Sequence, residues 1–427
     1  MRRANDSWLL ASSFWLVCAG VSPAFSQTPA IPKVEFDEAV RRALANNPTV
    51  AQAANAITRS ELLVQQARAV TRPTIAARVT NSTLDNQVAF SAGVAQPQNQ
   101  TTIVGDFTVP VVDLSRRGAV TQARDQVDVS RLATEATRRE IAVATAQAYL
   151  AVIVSRRQVD VDERAVENAR AHLDYSRRRL QGGAGSRLNE LRADASASSS
   201  ETRLENSRLA LRRAQEALGL LVAADSPVDA GADPSLEVPA TVSEPDWTQA
   251  RPDVRFQQTT QRAAERVVRD SWRDWIGGAT ATFSPQYVGP AGLFQPSRSW
   301  RLTVSFAQPI FEGGQRKAVL RLRELQVDQT RLALSNTMLR ARSEVRVAEE
   351  SVRSAQRALE TARLAASQSA EVLRITTSAF ELGATTNIEV IDAQRVARDA
   401  DSAATLAEDA LRRARLDLLV AIGRFPR

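Results

Sequence analysis

The chain states much the same sequence twice, and that repetition constrains its fold more than any other feature. Gln126-Val127-Asp128 returns as Gln326-Val327-Asp328, and Arg131-Leu132 as Arg331-Leu332. Gly183-Ala184 returns as Gly383-Ala384, and Leu211-Arg212-Arg213-Ala214 as Leu411-Arg412-Arg413-Ala414, every pair 200 residues apart. A second offset, 204, relates Asn47-Pro48-Thr49-Val50 to Arg251-Pro252-Asp253-Val254, and Glu61 to Glu265. Repeats this long lie far above solenoid periods. They predict two equivalent halves, residues 27–222 and 247–427, joined by a Pro/Asp-rich linker at 223–246.

Residues 1–26 read as a secretory signal. Arg2 and Arg3 form a basic start, Trp8 to Val21 a mostly apolar stretch, and Ala24-Phe25-Ser26 a small-residue cleavage site before Gln27. The apolar stretch is short for a spanning helix, which needs about 20 residues. Cys18, the only cysteine, follows Val17 where a lipidation site wants a small residue, so it reads as part of the signal. The mature chain then has no thiol.

Two kinds of pattern fill each half. Residues 36–69 and 247–275 read as helices. Ile75, Ala77 and Val79 alternate with polar neighbours, and a second run spans 102–109 after a polar loop at 81–100. In the second half Ala279, Ala281 and Phe283 alternate likewise. Trp300, Leu302, Val304 and Phe306 do so after a loop at 285–299, with Pro110 and Pro309 closing the two hairpins. Strict period-two alternation marks strands with one apolar and one polar face, each near the roughly 9–11 residues of a tilted membrane strand. Trp300, Phe306, Phe283 and Tyr287 suit a membrane interface.

Helical patterns of great length follow. Val152, Val159, Val166, Leu173 and Leu180 fall seven apart. Ala341, Val345, Ala348, Val352, Ala355, Leu359, Ala362 and Ala366 form a heptad seam of small residues, continued upstream through Ala318, Leu322, Leu325, Gln329 and Leu332. The pattern breaks at Gly182–Ser186 and at Leu382–Thr386, then resumes, which makes each half end in a long helical hairpin.

The fold class that results is mainly α with a small β part. Four membrane strands cannot close a barrel, since the smallest bacterial barrels have eight, and lipid tolerates no open edge. Three copies would share twelve strands above twelve long helices, a trimeric α-barrel continuing a 12-stranded β-barrel.

These residues resemble the TolC family of outer-membrane efflux proteins over essentially the whole mature chain. The resemblance rests on Phe36-Asp37-Glu38-Ala39 with Asn47-Pro48, and on Gln308-Pro309-Ile310-Phe311-Glu312-Gly313-Gly314. It rests also on Gly383 to Gln394 and its less regular copy, Gly183 to Ala193. It implies a homotrimeric channel in outer-membrane lipid of a Gram-negative-type cell, its helical part in the periplasm. Such a channel is the passive exit duct of a tripartite efflux or type I secretion system. Its partners are a periplasmic adaptor (membrane fusion) protein and an inner-membrane RND or ABC transporter. The resemblance makes Gly183, Ala184, Gly383 and Ala384 the adaptor-docking tip, although glycine also serves simply to permit a tight turn. It makes Glu389 and Asp392, three apart on one helix face, an acidic tunnel entrance. It also implies a departure. The positions of the family's acidic, tyrosyl and arginyl latch are Asn189, Phe380 and Thr385 here, which cannot form an ion pair.

Enzymatic chemistry has little foothold. His172 is the only histidine and falls mid-helix, as a surface or seam residue. Gly182-Gly183-Ala184-Gly185-Ser186 lacks the lysine and preceding strand of a phosphate loop. No catalytic, cofactor or metal residue is assigned. The formal charge of +7 does not imply nucleic acid, because arginines interleave with acids on solvated helix faces. The alternative is a periplasmic coiled-coil adaptor or scaffold without a pore, which would lack the paired strands.

Overall fold

The computed structural model describes residues 31–239 and 243–426; the signal segment and Cys18 lie outside them. In chain order the elements are β1 (Lys33–Val34), α1 (Phe36–Asn46), α2 (Pro48–Ala69), β2 (Thr74–Thr83), β3 (Val88–Phe90), β4 (Gly93–Gln96), β5 (Asn99–Val112), α3 (Leu114–Gln181) and α4 (Arg187–Leu221). Then come β6 (Asp229–Ala230), α5 (Glu244–Ala250), α6 (Pro252–Arg269), a 3-10 turn (Asp270–Trp275), β7 (Gly278–Gly289), β8 (Arg298–Ala307), α7 (Gln315–Glu381) and α8 (Asn387–Ala421).

The opening helix of each half is broken where the sequence reading made it continuous. Asn47 and Arg251 precede prolines and adopt extended ψ values of 125° and 120°. Proline clashes with a helical residue before it, so the break is intrinsic to the X-Pro pair. Both hinge side chains then do the same work. Asn47 accepts from the Thr49 amide at 2.9 Å and donates to the Leu221 carbonyl at 3.0 Å. Arg251 donates from Nη1 to the Ala421 carbonyl at 3.1 Å. Leu221 and Ala421 are equivalent residues closing α4 and α8, so each hinge satisfies an orphan carbonyl at the end of its own hairpin. Burial works against the Arg251 charge, but bonds to Asp253 (2.6 Å) and Glu344 (2.7 Å) outweigh it and hold the guanidinium protonated.

The main core gathers at this waist. Fully buried Tyr149, Leu150, Leu218, Leu416 and Val254 join Trp247 from both halves. Tyr149 packs edge-on against Phe36 with ring centroids 5.3 Å apart and donates to the Ala232 carbonyl at 2.8 Å; burial pushes its phenol up to about 12. The linker contributes too: β6 pairs in parallel with β1 through Val34 and Ala230.

Above the waist, β2-β5-β7-β8 form one antiparallel sheet that does not close, leaving β2 and β8 as edges. Register puts Ile75 opposite Phe107, Phe107 opposite Phe283, and Phe283 opposite Leu302, so one face is continuously apolar. That face is open to the surroundings, with Ile75 79% and Trp300 70% exposed. The other face carries hydroxyl pairs, Thr108 with Thr282 at 3.3 Å and Thr280 with Ser305 at 2.8 Å, and Ser284 donating to Asp106 at 2.6 Å. The strands are longer than their alternation suggested. β5 runs through Pro110 to Val112, because β2 pairs no further than Thr108 and a bulge absorbs the proline. β7 likewise passes Pro285, and β3 and β4 form a hairpin inside the segment read as loop.

Below the waist, α3 spans 68 residues, about 100 Å at 1.5 Å per residue, and α7 spans 67. The small-residue seam of α7 is buried at Ala341, Val345, Ala348 and Leu359. Its upstream continuation is not. Leu322 (65%), Leu325 (58%) and Leu332 (70%) are exposed, whereas Thr330 is buried. The leucines stand two residues out of register with the seam, Leu332 lying nine residues before Ala341, and the buried line continues instead through Met338, Leu334 and Thr330. Among the described residues no helix is long and apolar enough to cross a membrane.

The hinge contacts give a direct stability test. Asn47→Ala removes one helix cap and one carbonyl partner, each worth about 1 kcal/mol. It should lower the unfolding free energy in denaturant titrations by roughly 1–2 kcal/mol; Asn55→Ala, on an exposed face of α2, should change it little.

Candidate functional site at the hairpin tips

The four helices of the two hairpins meet at their far ends in two turns of the same construction. In the first, Gly183 has φ +75° and the amides of Gly183 and Ala184 bond to the carbonyls of Leu180 and Arg179, both at 3.0 Å. In the second, Gly383 has φ +78°, with Gly383 to Phe380 at 3.0 Å and Ala384 to Ala379 at 2.8 Å. This is the glycine-terminated helix end in which a left-handed residue returns two amides to orphan carbonyls. A Cβ added at Gly183 or Gly383 would meet nothing within 4 Å. Conformation, not crowding, calls for glycine there, and the turns with Ala184 and Ala384 are open surface. The copies differ one residue on. A Cβ at Gly185 would come 2.6 Å from the Leu180 amide nitrogen, whereas Thr385 stands in its place with a buried hydroxyl lacking a partner.

Glu389 and Asp392 are both exposed near the start of α8. Asp392 is paired to Arg395 at 2.8 Å, and Arg395 also reaches Asp399 at 3.5 Å. Glu389 has no ion-pair partner among the described residues. Beside them the hairpins enclose a cavity of about 600 Å³, lined by Arg164, Arg192, Arg203, Arg395 and Arg398, with Asp401 the only acid. Arg164 pairs with Asp401 and Arg398 with Asp399, so only Arg192 and Arg203 of this wall have no ion pair among the described residues.

Two of the three latch positions, Asn189 and Phe380, are joined through His172 and Asn387. His172 is a seam residue, 93% buried (7% exposed), and its Nε2 lies 2.6 Å from Asn387 Oδ1. Asn387 in turn donates to the Asn189 carbonyl at 3.3 Å, so one amide ties α3, α4 and α8. Phe380 is buried against His172 (5.2 Å) and Tyr175 (5.6 Å), with the Arg179 guanidinium 5.5 Å from its ring centre. Tyr175 donates to the Glu381 carbonyl at 3.2 Å. A neutral, aromatic and amide cluster thus stands at Asn189 and Phe380, where the resemblance already implied a departure from the family's charged latch. The available sequence signal was His172 directly beside Leu173 on the buried heptad; Asn387, the first residue of α8, gave none. No group of three metal-binding side chains occurs among the described residues.

Comparison with known proteins follows this geometry. Residues 39–224 and 277–424 match the family described as outer membrane efflux protein. The chain is 27% identical over 393 residues to the outer membrane protein OprJ of Pseudomonas aeruginosa, covering 86% of this chain and 79% of OprJ. Its fold is similar to the Campylobacter jejuni CmeC outer membrane channel, with TM-score 0.79, 16% identity, and 91% and 85% of the two chains covered. It is similar also to the open state of the Neisseria gonorrhoeae MtrE outer membrane channel, with TM-score 0.76, 19% identity, and 91% and 88% covered.

Burial pushes the His172 imidazole below its ordinary value, with the Asn387 hydrogen bond opposing. With His172 in water the opened cluster binds a proton more readily than the packed one, so the packing of α3 against α8 at His172 weakens as pH falls through 6.5 and levels off below the depressed value. The protection factors of the amides around His172 and Asn387, with the pH dependence of intrinsic exchange divided out, should fall several-fold between about pH 7 and pH 5, and His172→Gln should flatten that profile.

Proposed function

Because the chain belongs to the outer membrane efflux protein family, whose members are channels of the outer membrane, we propose that it is the passive exit duct of a tripartite system. In this reading three copies share one barrel. The observation that carries it is the unfinished sheet: four strands with two free edges, one face apolar and exposed, the other lined with hydroxyls. Lipid can cover the apolar face, but only strands of another copy can satisfy the edges. Three copies supply twelve strands, an allowed even number. The exposed leucines of α7 fit the same arrangement, since a neighbouring copy beside β8 would cover them. A pore-free periplasmic scaffold leaves the apolar face of the sheet unexplained. Native mass spectrometry of detergent-extracted outer membrane tests the assembly: a mass three times the mature chain supports it, and a soluble monomer overturns it.

The inner-membrane pump supplies energy and selectivity, and a periplasmic adaptor joins pump to duct at the open turns around Gly183-Ala184 and Gly383-Ala384. Their geometry separates docking from folding. A side chain at either glycine meets no atom, so substitution costs only the left-handed conformation, about 1 kcal/mol. Gly183→Trp or Gly383→Trp should abolish efflux while leaving the yield of assembled channel within about twofold; normal efflux in both variants would remove the tip from the docking surface. Glu389 and Asp392 would form rings of carboxylates at the tunnel entrance and favour cations. Glu389→Ala with Asp392→Ala should cut cation over anion permeability several-fold in bilayer recordings, and more of that loss should follow Glu389, because Arg395 already offsets Asp392.

A further inference from the structure

Where the first half's helices meet the sheet, four arginines crowd one place. Arg68 and Arg72 stand at the end of α2, just before β2 begins at Thr74. Arg117 and Arg124 lie in the first turns of α3, just after β5 ends at Val112. Together with Thr71 and Thr121 they line an open groove of about 430 Å³. The two helix ends are clamped by a neighbour: Arg116 donates to the Val70 carbonyl at 2.8 Å and pairs with Asp113 at 2.6 Å.

Among the described residues none of the four guanidinium groups has a carboxylate within ion-pair distance. The nearby acids are engaged elsewhere, Asp113 by Arg116, Asp125 by Arg266, and Glu61 and Asp128 by Arg131. The second half handles the same level differently. At the offset of 204, Arg68, Thr71 and Arg72 correspond to Trp272, Trp275 and Ile276. Three cations there are neutralised in place, Arg273 by Asp270 (3.2 Å), Arg316 by Glu312 (2.8 Å) and Arg323 by Asp274 (2.6 Å), while Lys317, the counterpart of Arg117, has no carboxylate within ion-pair distance among the described residues. Trp272 and Trp275 are about half exposed, and exposed tryptophan collects at the boundary between lipid and water. Fully exposed Ile310 and Phe311 follow β8 at the same end of the sheet. Pseudo-symmetry therefore sets the arginine groove at the level of the headgroups on the periplasmic side.

We propose that this groove binds the phosphate of an anionic phospholipid headgroup in the periplasmic leaflet of the outer membrane. The planar guanidinium fork matches phosphate oxygens in pairs, and basic clusters at membrane level select anionic lipid. The first half anchors by charge at the level where the second anchors by indole. The inference rests on the sheet crossing the outer membrane.

The test uses the full-length channel, delipidated in neutral detergent, with dioleoyl-phosphatidylglycerol, dioleoyl-phosphatidylcholine or inorganic phosphate added, read by native mass spectrometry and thermal unfolding. Phosphatidylglycerol should be retained about tenfold over phosphatidylcholine and should raise the unfolding temperature. Arg68→Gln with Arg72→Gln, Arg117→Gln and Arg124→Gln should erase that preference. Removing four arginines elsewhere on α7 (Arg340, Arg346, Arg353, Arg357) should preserve it. Single Arg72→Gln and Arg117→Gln variants, each expected to lose two- to threefold, keep the test decisive if the fourfold variant does not fold. Unchanged preference in the single and fourfold variants overturns the proposal. So does inorganic phosphate stabilising as well as the lipid, which would make this a simple anion site. Dissociation of the fourfold variant alone, with lipid preference intact in the single variants, would assign the arginines to acids of a neighbouring copy instead. Phosphatidylglycerol adducts can be scored on a monomer, so failure of the shared barrel and failure of this site are distinguishable.

Discussion

The backbone hydrogen bonds that β2 and β8 cannot make within one chain govern the rest of the structure. In water an open edge can be solvated, whereas in hydrocarbon every unmet amide or carbonyl costs several kcal/mol. The apolar face formed by Ile75, Phe107, Phe283, Leu302 and Trp300 is suited to hydrocarbon and to little else. A sheet of this character calls for further strands from identical chains. The exposed leucine stripe at the sheet end of α7 is the same incompleteness written on a helix.

Duplication makes that incompleteness solvable, because equivalent parts can occupy equivalent places around a ring. The correspondence extends to single bonds. Asn47 and Arg251 differ in size and charge, yet each sits before a proline, breaks a helix and reaches the carbonyl at the end of its own hairpin. The amide is satisfied by local bonds, whereas the guanidinium, being charged and buried, recruits Asp253 and Glu344. The two halves have diverged in chemistry while conserving what each hinge must satisfy.

At the opposite end the contacts around His172 that join the halves are neutral. His172, Asn387 and the Asn189 carbonyl form a chain of hydrogen bonds beside Phe380 and Tyr175, which meet edge to face. A neutral cluster avoids the desolvation cost of a buried ion pair, but it includes the one histidine of the chain.

Much of this was legible in the residues. The offset repeats, the period-two strands and the heptads of Val152 to Leu180 each report a local rule that neighbours in sequence suffice to express, and the glycine turns at 183 and 383 follow from backbone sterics alone. The misreadings have local and distant causes. The helix breaks at Asn47 and Arg251 were signalled by proline but masked by apolar periodicity on both sides. Pro110 fits within β5 only because β2 has already ended, a fact about a partner strand. The upper leucines of α7 keep the four-and-three spacing among themselves but stand two residues out of register with the lower seam, and Met338 and Leu334 carry the buried line instead. The His172–Asn387 contact spans 215 residues, and no local pattern announces it. Sequence by itself determined two helical hairpins, two strand pairs and the need for copies, since those depend on propensity, alternation and the cost of unpaired backbone. Only the tertiary structure decided which faces meet, because packing is set by partners that a linear pattern does not name.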